Sequence, residues 1–164
     1  MNIIFYGGKQ AGMISLLTLL SMGERVICVI PVDSIVSKIA HRLKLNTIKV
    51  KDINDPRVVE YLKSLDPDLI VCCNGTQIFK KDLLELKGIN LHANLYKYKG
   101  NNPIERMLKD GETKASVGVH VMTEKVDNGP VLAENFKRVS GKTEKEVYNE
   151  LYPLYVLSLI QAIK

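Results

Sequence analysis

The sequence predicts an α/β fold: a doubly wound, mostly parallel Rossmann-like sheet in a single domain. Strand-like and helix-like segments alternate through residues 1–92, which is typical of βαβ units. The segment 68–73 is almost continuously apolar, as expected of a strand buried on both faces of a parallel sheet. A length of 164 residues is enough to bury one core.

The first half of the chain contains strands and helices in turn. We predict strands over residues 2–6, 25–31, 47–50 and 68–73, and helices over 10–22, 33–43, 54–65 and 81–86. The helices follow from apolar residues three and four positions apart. Gly23 is a helix-ending signal, Asp33 a helix-starting one, and Pro56 lies early in the first turn of its helix.

The second half is predicted to add three strands and two helices. The strands cover 88–92, 116–122 and 130–136, and the helices cover 102–109 and 143–164. Thr143 and Glu146 form a capping box at the start of the last helix. Pro153 lies inside that helix, so we expect a kink or an interruption there.

The last helix also carries a second set of apolar positions. Its members recur at helical spacing: Tyr148, Tyr152, Tyr155 and Leu159. This face either supports a homodimer or is buried within the chain itself.

The composition excludes several classes of protein. Hydrophobic residues make up 46% and charged residues 25%, which is globular and not disordered. No apolar run is long enough to span a membrane, and no signal peptide is apparent, so we expect a cytoplasmic protein. Cys28, Cys72 and Cys73 lie in apolar strands and are expected to be reduced core residues.

The net charge of +5 fits either an anionic substrate or an ordinary solvated surface. The chain has no arginine-rich arm and no interleaving of basic and aromatic residues, so a nucleic-acid partner is not expected. No membrane partner is expected either.

Polar residues that could carry chemistry occur at the end of one predicted strand and in one predicted turn. Alternation places Ile89 and Leu91 on one face of a strand and Asn90 and His92 on the other. Open α/β sheets bind ligands at the carboxyl ends of their strands. Asp127 lies in the turn between the last two strands. Taken singly, these residues could be a structural amide, a strand-end histidine and a turn aspartate.

Taken together with their neighbours, they resemble the folate-dependent formyltransferases. Five segments carry this resemblance in order along the chain: 89–92 (Ile-Asn-Leu-His), 98–103 (Tyr-Lys-Gly-Asn-Asn-Pro), 111–113 (Gly-Glu-Thr), 118–122 (Gly-Val-His-Val-Met) and 127–132 (Asp-Asn-Gly-Pro-Val-Leu). The first βα unit and segment 65–71 are also similar, so the resemblance covers essentially the whole chain.

The resemblance implies transfer of a formyl group from 10-formyltetrahydrofolate to a primary amine of a small acceptor. It implies catalytic roles for Asn90, His92 and Asp127. His92 would act as general base, Asn90 would stabilise the carbonyl oxygen, and Asp127 would hold the imidazolium. The formyl group is already activated, so no metal is expected.

The resemblance also implies where the two substrates bind. The pterin would contact the turn and loop formed by Asn74, Gly75, Thr76, Gln77, Ile78, Glu124, Lys125 and Val126. The acceptor would contact the loop that includes Asn94, Lys97, Lys99 and Gly100. A structural role is favoured for His120, and His41 is expected at the surface.

The chain departs from the family after His92. The family has Ser-Leu-Leu-Pro where this chain has Asn94-Leu95-Tyr96-Lys97, which suggests an unusual acceptor. We expect residues 1–164 to form the catalytic domain without a C-terminal accessory domain, which argues against a tRNA acceptor. The loop after the first strand lacks the Gly-Ser-Asn of purine-pathway members.

By elimination, an amino sugar attached to a nucleotide is the expected acceptor. Two alternatives stay open: a formyltetrahydrofolate hydrolase, in which water is the acceptor, and a catalytically silent module that binds folate or a partner.

Overall fold

Six strands form one sheet in the computed structural model, which describes residues 1–164. They are β1 (Asn2–Gly7), β2 (Arg25–Pro31), β3 (Leu69–Cys73), β4 (Gly88–Ala93), β5 (Lys114–Val121) and β6 (Val131–Arg138). Their order is β2-β1-β3-β4-β5-β6. The pairs β1–β2, β1–β3 and β3–β4 are parallel. Strand β5 pairs antiparallel with β4, and β6 pairs antiparallel with β5. The predicted mostly parallel α/β sheet is confirmed.

Six helices cover the two faces of this sheet. They are α1 (Lys9–Ser21), α2 (Ser34–Arg42), α3 (Pro56–Ser64), α4 (Lys81–Leu84), α5 (Pro103–Lys109) and α6 (Glu144–Ile163). None of them is both long and apolar enough to cross a membrane.

Strand alternation divides the core into two layers, one on each face of the sheet. Ile3 and Phe5 of β1 pack in the larger layer, with helices α1, α2, α5 and α6. Ile4 and Tyr6 pack in the smaller layer, with α3 and α4. Helices on both faces are the defining feature of a doubly wound fold.

The helix starts follow the sequence signals. The Asp33 carboxylate accepts hydrogen bonds from the first-turn amides of α2, and Thr143 and Glu146 form the expected capping box of α6. The expected interruption at Pro153 is wrong, because α6 continues unbroken from Glu144 to Ile163. Packing of α6 against the sheet stabilises the helix despite the hydrogen bond that a proline removes.

The predicted strand over 47–50 is also wrong. This segment forms one isolated bridge, between Thr47 and Val29 of β2. Only two backbone hydrogen bonds join it to the edge of the sheet, between Val29 N–H and Asn46 O and between Ile48 N–H and Val29 O. Lys49 and Lys51 are exposed on either side of Val50, so little apolar surface is gained by extending the ladder.

The second apolar face of α6 is used inside the chain. Tyr155 and Leu159 belong to the larger core layer, and Tyr148 and Tyr152 pack against it. This face of α6 is therefore buried within the chain, which is the second of the two explanations that the sequence allowed, and not exposed as a homodimer surface.

Candidate active site

A cleft of about 600 Å³ lies at the carboxyl ends of the parallel strands β1, β3 and β4. One wall is made by the loop after β3 and by the β5–β6 loop, and it adjoins the smaller core layer. The opposite wall is made by Lys9, the start of α5, Tyr148 and Tyr155, and it adjoins the larger layer. Four polar side chains also line the cleft: Asn90, His92, His120 and Asp127.

Strand register brings Asn90 and His120 together. The two residues are directly opposite each other in the antiparallel β4–β5 pair, where side chains on the same face are close neighbours. Their Nδ2 and Nε2 atoms are 3.3 Å apart. Sequence analysis favoured a structural role for His120, but its imidazole lies in the cleft beside the amide.

Asp127 is the most connected of the four. One carboxylate oxygen, Oδ2, accepts a hydrogen bond of 2.8 Å from Gly100 N–H and lies 3.1 Å from His92 Nε2. The other, Oδ1, lies 3.3 Å from His120 Nε2 and 3.4 Å from Asn90 Nδ2. The residue is only 7% exposed. Asp127 therefore joins both histidines, the amide and the loop after β4.

These contacts keep the Asp127 carboxylate ionised. Burial by itself raises the pKa of Asp127, but the hydrogen bonds from His120 and His92 outweigh it and hold that pKa well below its usual range. The turn that presents the carboxylate is tight: Asp127 has a φ of 53°, and Asn128 Nδ2 donates to Val126 O at 2.7 Å.

His92 has hydrogen-bond acceptors at both ring nitrogens. Its Nδ1 is 2.6 Å from Ala93 O, and its Nε2 is 3.0 Å from Gly100 O as well as close to Asp127. Burial acts to lower the pKa of His92, but Asp127 and the two carbonyl groups together raise it above the ordinary value. Because Nδ1 is committed to a backbone carbonyl, Nε2 is the atom that can exchange a proton.

The loop after β3 is fixed from behind by Tyr6. The Tyr6 hydroxyl accepts hydrogen bonds of 3.1 Å from both Thr76 N–H and Gln77 N–H. Gln77 lines the cleft, yet its side chain also bonds Ile53 N–H and Lys51 O. A Cβ on Gly75 would lie 2.5 Å from the Tyr6 ring, so this position requires glycine.

The residues expected to contact the pterin fall into two groups. Six of them line the cleft: Asn74, Gly75, Thr76, Gln77, Ile78 and Val126. Glu124 and Lys125 are exposed and do not line it, although Thr123, Val126 and Asp127 of the same loop do.

Three of the four residues expected to contact the acceptor do not line the cleft. Asn94 is fully buried, and its Oδ1 accepts a 2.8 Å hydrogen bond from Ser116 N–H. The Lys97 ammonium forms an ion pair with Glu112. Lys99 Nζ donates to Asn128 Oδ1 at 2.6 Å. Only Gly100 lines the cleft. The loop is pinned by these contacts, and its side chains point away from the cavity.

The cleft contains two histidines, one carboxylate and one thiol. The two histidines contact different oxygens of Asp127, and no group of three or more potential ligands is arranged to hold a metal ion. Cys72 lines the cleft, but burial raises the pKa of its thiol to about 12, so the thiol stays neutral and weakly nucleophilic.

Comparison with known proteins identifies the family. The sequence pattern of the family described as "Formyl transferase" matches residues 29–163. The chain belongs to this family. It is 31% identical to the bifunctional polymyxin resistance protein ArnA of Wigglesworthia glossinidia brevipalpis, over 96% of this chain and 27% of that protein. It is 42% identical to the methionyl-tRNA formyltransferase of Rhodopirellula baltica, over 49% of this chain and 25% of that protein.

Solved structures of a formyltransferase and of a formyltetrahydrofolate deformylase share the fold. The phosphoribosylglycinamide formyltransferase of Anaplasma phagocytophilum has a TM-score of 0.87 at 19% identity, over 100% of this chain and 85% of that one. The formyltetrahydrofolate deformylase of Pseudomonas putida has a TM-score of 0.81 at 19% identity, over 99% and 63%. The chain spans between a quarter and just over half of the length of the curated relatives it matches.

Proposed function

We propose that this chain transfers a formyl group from 10-formyltetrahydrofolate to a primary amine. The observation that carries the proposal is the set of contacts among Asn90, His92 and Asp127 at the carboxyl ends of the strands. An amide donor, a histidine of raised pKa and a buried carboxylate are the groups that amine acylation needs. His120 joins them as a fourth polar group.

The wall made by the loops after β3 and β5 suits the formyl donor. Apart from Asp127, it contains no charged side chain, and it presents apolar groups to the cavity, with Ile78 65% exposed and Val126 45% exposed. A flat, uncharged ring system with a donor–acceptor edge is a good match for apolar side chains beside loop backbone. We assign Asn74, Gly75, Thr76, Gln77, Ile78 and Val126 to donor binding.

The remaining residues account for the charge and proton movements. The acceptor nitrogen bonds to the formyl carbon, the carbon's bond to the donor nitrogen breaks, and one proton moves from the acceptor nitrogen to the donor nitrogen. Asn90 Nδ2 donates to the formyl oxygen as negative charge builds on it. His92 Nε2 takes the proton and returns it to the leaving nitrogen. Asp127 stabilises the protonated form of His92 in between.

The acceptor we propose is a small amine, with an amino sugar linked to a nucleotide as the candidate. We place the reaction in the cytoplasm, since Cys28, Cys72 and Cys73 are all buried free thiols, as is usual in reducing compartments.

A screen of amino sugars and other amines with 10-formyltetrahydrofolate tests this proposal. Mass spectrometry should find an acceptor that gains one CO, roughly 28 daltons, as formyl transfer requires. His92→Ala and Asp127→Asn should each lower the rate of product formation by about 100-fold or more. His41→Ala is the matched control, because His41 is exposed on α2.

Two results would refute the transferase. Folate release at the same rate without any amine would make the protein a hydrolase. Donor binding with no formyl product across the whole panel would make it a binding module.

A further inference from the structure

The edge strand β6 leaves part of its backbone without hydrogen-bond partners. Val139 N–H donates to Thr113 O, and the two strands run in register from there, so the odd-numbered residues of β6 face β5. The backbone groups of Glu134, Phe136 and Arg138 therefore point away from the sheet, and no other part of the chain bonds them. A row of free N–H and C=O groups is a template for pairing with another extended chain.

The opposite edge of the sheet, at β2, is covered. Val29 N–H donates to Asn46 O, and the Val29 carbonyl accepts a hydrogen bond from Ile48 N–H, so segment 46–48 lies where a further strand would pair. Edge strands are commonly protected by a covering loop of this kind. The two edges therefore differ, and β6 is the one to which a strand can be added.

An aromatic and cationic groove runs beside the free edge of β6. It has a volume of about 310 Å³ and is lined by Thr113, Lys114, Phe136, Lys137 and Arg138. Lys114 Nζ lies 4.8 Å from the centre of the Phe136 ring, which is 47% exposed. The groove thus combines an apolar surface with three cations, and it shares no residue with the cleft.

The cations of this groove are not neutralised within the chain. Lys114 and Arg138 form no salt bridge, and Lys137 shares the one carboxylate of Glu150 with Lys142. Cations held close together repel one another, and an approaching carboxylate relieves that repulsion. An extended partner with acidic residues therefore matches both the free backbone and the charge of this edge.

A second copy of this chain is a poorer match for the edge. Strand β6 has one acidic residue, Glu134, and its carboxylate already accepts hydrogen bonds from Tyr96 N–H and the Ser116 hydroxyl. Pairing of two β6 edges would bring three further cations and no free carboxylate. The charges on this edge therefore select against self-association, as charged residues on edge strands commonly do.

We propose that β6 binds an extended acidic segment of a partner protein by strand addition. The segment pairs antiparallel with β6, because an antiparallel ladder is the more stable one and continues the geometry of β5. Its backbone bonds the free groups of Glu134, Phe136 and Arg138. A carboxylate opposite Arg138 also meets Lys114, which is directly opposite Arg138 in the β5–β6 pair, and an apolar side chain opposite Phe136 covers the exposed ring.

Synthetic peptides test this proposal on the whole 164-residue chain. The probe is acetyl-Ser-Glu-Glu-Val-Thr-Thr-Ser-amide, whose first Glu is placed opposite Arg138 and whose Val is placed opposite Phe136. One control peptide has Lys in place of both Glu residues. The other keeps the charges but carries an N-methyl group on Val, which removes the N–H that would donate to Phe136 O.

Titration of ¹⁵N-labelled protein gives the dissociation constant of each peptide. The acidic peptide should bind about tenfold or more tightly than either control, the equivalent of one charge-assisted contact. At saturation, hydrogen exchange at the amides of Glu134, Phe136 and Arg138 should slow about tenfold, because each amide gains a hydrogen-bonded position within the sheet.

Variants show whether the two unpaired cations cause the preference. Lys114→Gln and Arg138→Gln should each reduce the preference for the acidic over the lysine peptide by about threefold or more. Lys38→Gln and Arg42→Gln are the matched controls, because they replace exposed cations on α2, and they should keep it. All four changes lie at exposed positions and should leave the fold intact.

Any one of four outcomes would overturn the proposal: no saturable binding of the acidic peptide, equal affinity for either control peptide, protection of amides outside β6 alone, or a dimer in sedimentation that protects the same amides without peptide. The last result would make a second copy the occupant. Binding at β6 is measured without folate or amine, so loss of the proposed formyl transfer would leave this proposal standing, and failure here would leave formyl transfer untouched.

Discussion

The Asp127 carboxylate controls the protonation of His92 through direct contact. Its Oδ2 lies 3.1 Å from His92 Nε2, and the two side chains are 6% and 12% exposed. Screening by water is weak at such exposure, so the negative charge strongly favours the imidazolium. The base that the proposed reaction needs is therefore available only above the raised pKa of His92.

This gives a prediction for the dependence of kcat/KM on pH. In the wild type, kcat/KM should rise with pH along a limb whose apparent pKa lies above 6.5, the ordinary histidine value. Asp127→Asn should move this limb to lower pH, because a neutral amide cannot stabilise the imidazolium, while the rate falls about 100-fold or more. A limb that keeps its wild-type position in Asp127→Asn would mean that the titrating group is not His92.

The same pair gives a prediction for stability. The raised pKa of His92 means that its contribution is complete below the unfolded-state pKa and is lost as pH rises through the folded one. The lowered pKa of Asp127 means that its contribution is lost as pH falls below the unfolded value. Melting temperature should therefore be highest between about pH 4 and pH 6.5.

His92→Gln supplies the comparison for that profile. The decline in melting temperature from neutral to alkaline pH should become shallower in this variant, because the group that loses its proton is absent. An equally steep decline in His92→Gln would assign the alkaline loss to other groups.

At the residue scale, the sequence motifs grouped Asn90, His92 and Asp127 into one predicted catalytic set, and these three side chains are in contact in the structure. His120 was missed because its contact with Asn90 depends on an antiparallel register between β4 and β5, which is set by long-range packing. The burial of Asn94 was not foreseen, because sequence position alone does not reveal that its side chain is fully buried.

The conformation of the loop after β4 depends on Asn94, whose side chain joins the loop to β5. Asn94 has a φ of 53°, in the left-handed region that Asn tolerates better than Ala. Asn94→Ala should destabilise the fold by about 2–4 kcal/mol, through the strained backbone and the unpaired Ser116 N–H. Asn94→Gly should cost less, since glycine relieves the backbone part. Chemical denaturation measures both.

The acceptor KM distinguishes this structural role from the earlier assignment to acceptor binding. Asn94→Gly should retain the wild-type KM for the acceptor wherever it remains folded. A large rise in that KM would return Asn94 to the binding surface.

The loop after β3 depends on Tyr6 for its shape. Tyr6→Phe removes the acceptor of the Thr76 and Gln77 amides but keeps the ring against Gly75. Hydrogen exchange at these two amides should become several-fold to about tenfold faster, as expected when one local hydrogen-bonded unit opens more often. The dissociation constant of the donor should rise while kcat changes less, because the loop must then be ordered on binding.

Tyr61→Phe is the matched control for that experiment. Tyr61 is 37% exposed, and its hydroxyl contacts Asn46 outside the cleft. Equal exchange rates at Thr76 and Gln77 in Tyr6→Phe and wild type would show that the hydroxyl does not anchor the loop.

At the element scale, capping residues and apolar spacing located most strands and helices. The exceptions have a common cause. The segment at 47–50 has strand-like residues, but pairing along its whole length would bury little apolar surface. Helix α6 contains a proline, but it packs over a surface large enough for the helix to continue past that residue. In both cases tertiary burial outweighs the local signal.

The larger core layer joins the parallel and antiparallel parts of the molecule. Helix α6 contributes Leu151, Tyr155 and Leu159 to a cluster that also includes residues of β1, β4 and β5. Ser158 adds a polar link, because its hydroxyl donates to Val117 O at 2.8 Å and accepts from Asn135 Nδ2 at 2.9 Å. These contacts cross from α6 to β5 and β6, so the antiparallel part of the sheet shares the larger core layer with the parallel part.

We therefore expect the whole molecule to unfold in one transition, with α6 as part of it. Leu159→Ala should lower the free energy of unfolding by about 2–5 kcal/mol, the usual cost of a cavity in a packed core. Tyrosine fluorescence and far-UV circular dichroism should give coincident urea curves in this variant, with an unchanged m-value. Leu157→Ala, at a 42% exposed position on the same helix, should stay within about 0.5–1 kcal/mol of wild type. Separate transitions by the two probes in Leu159→Ala would mean that α6 and the β5–β6 extension form a unit that unfolds independently of the parallel sheet.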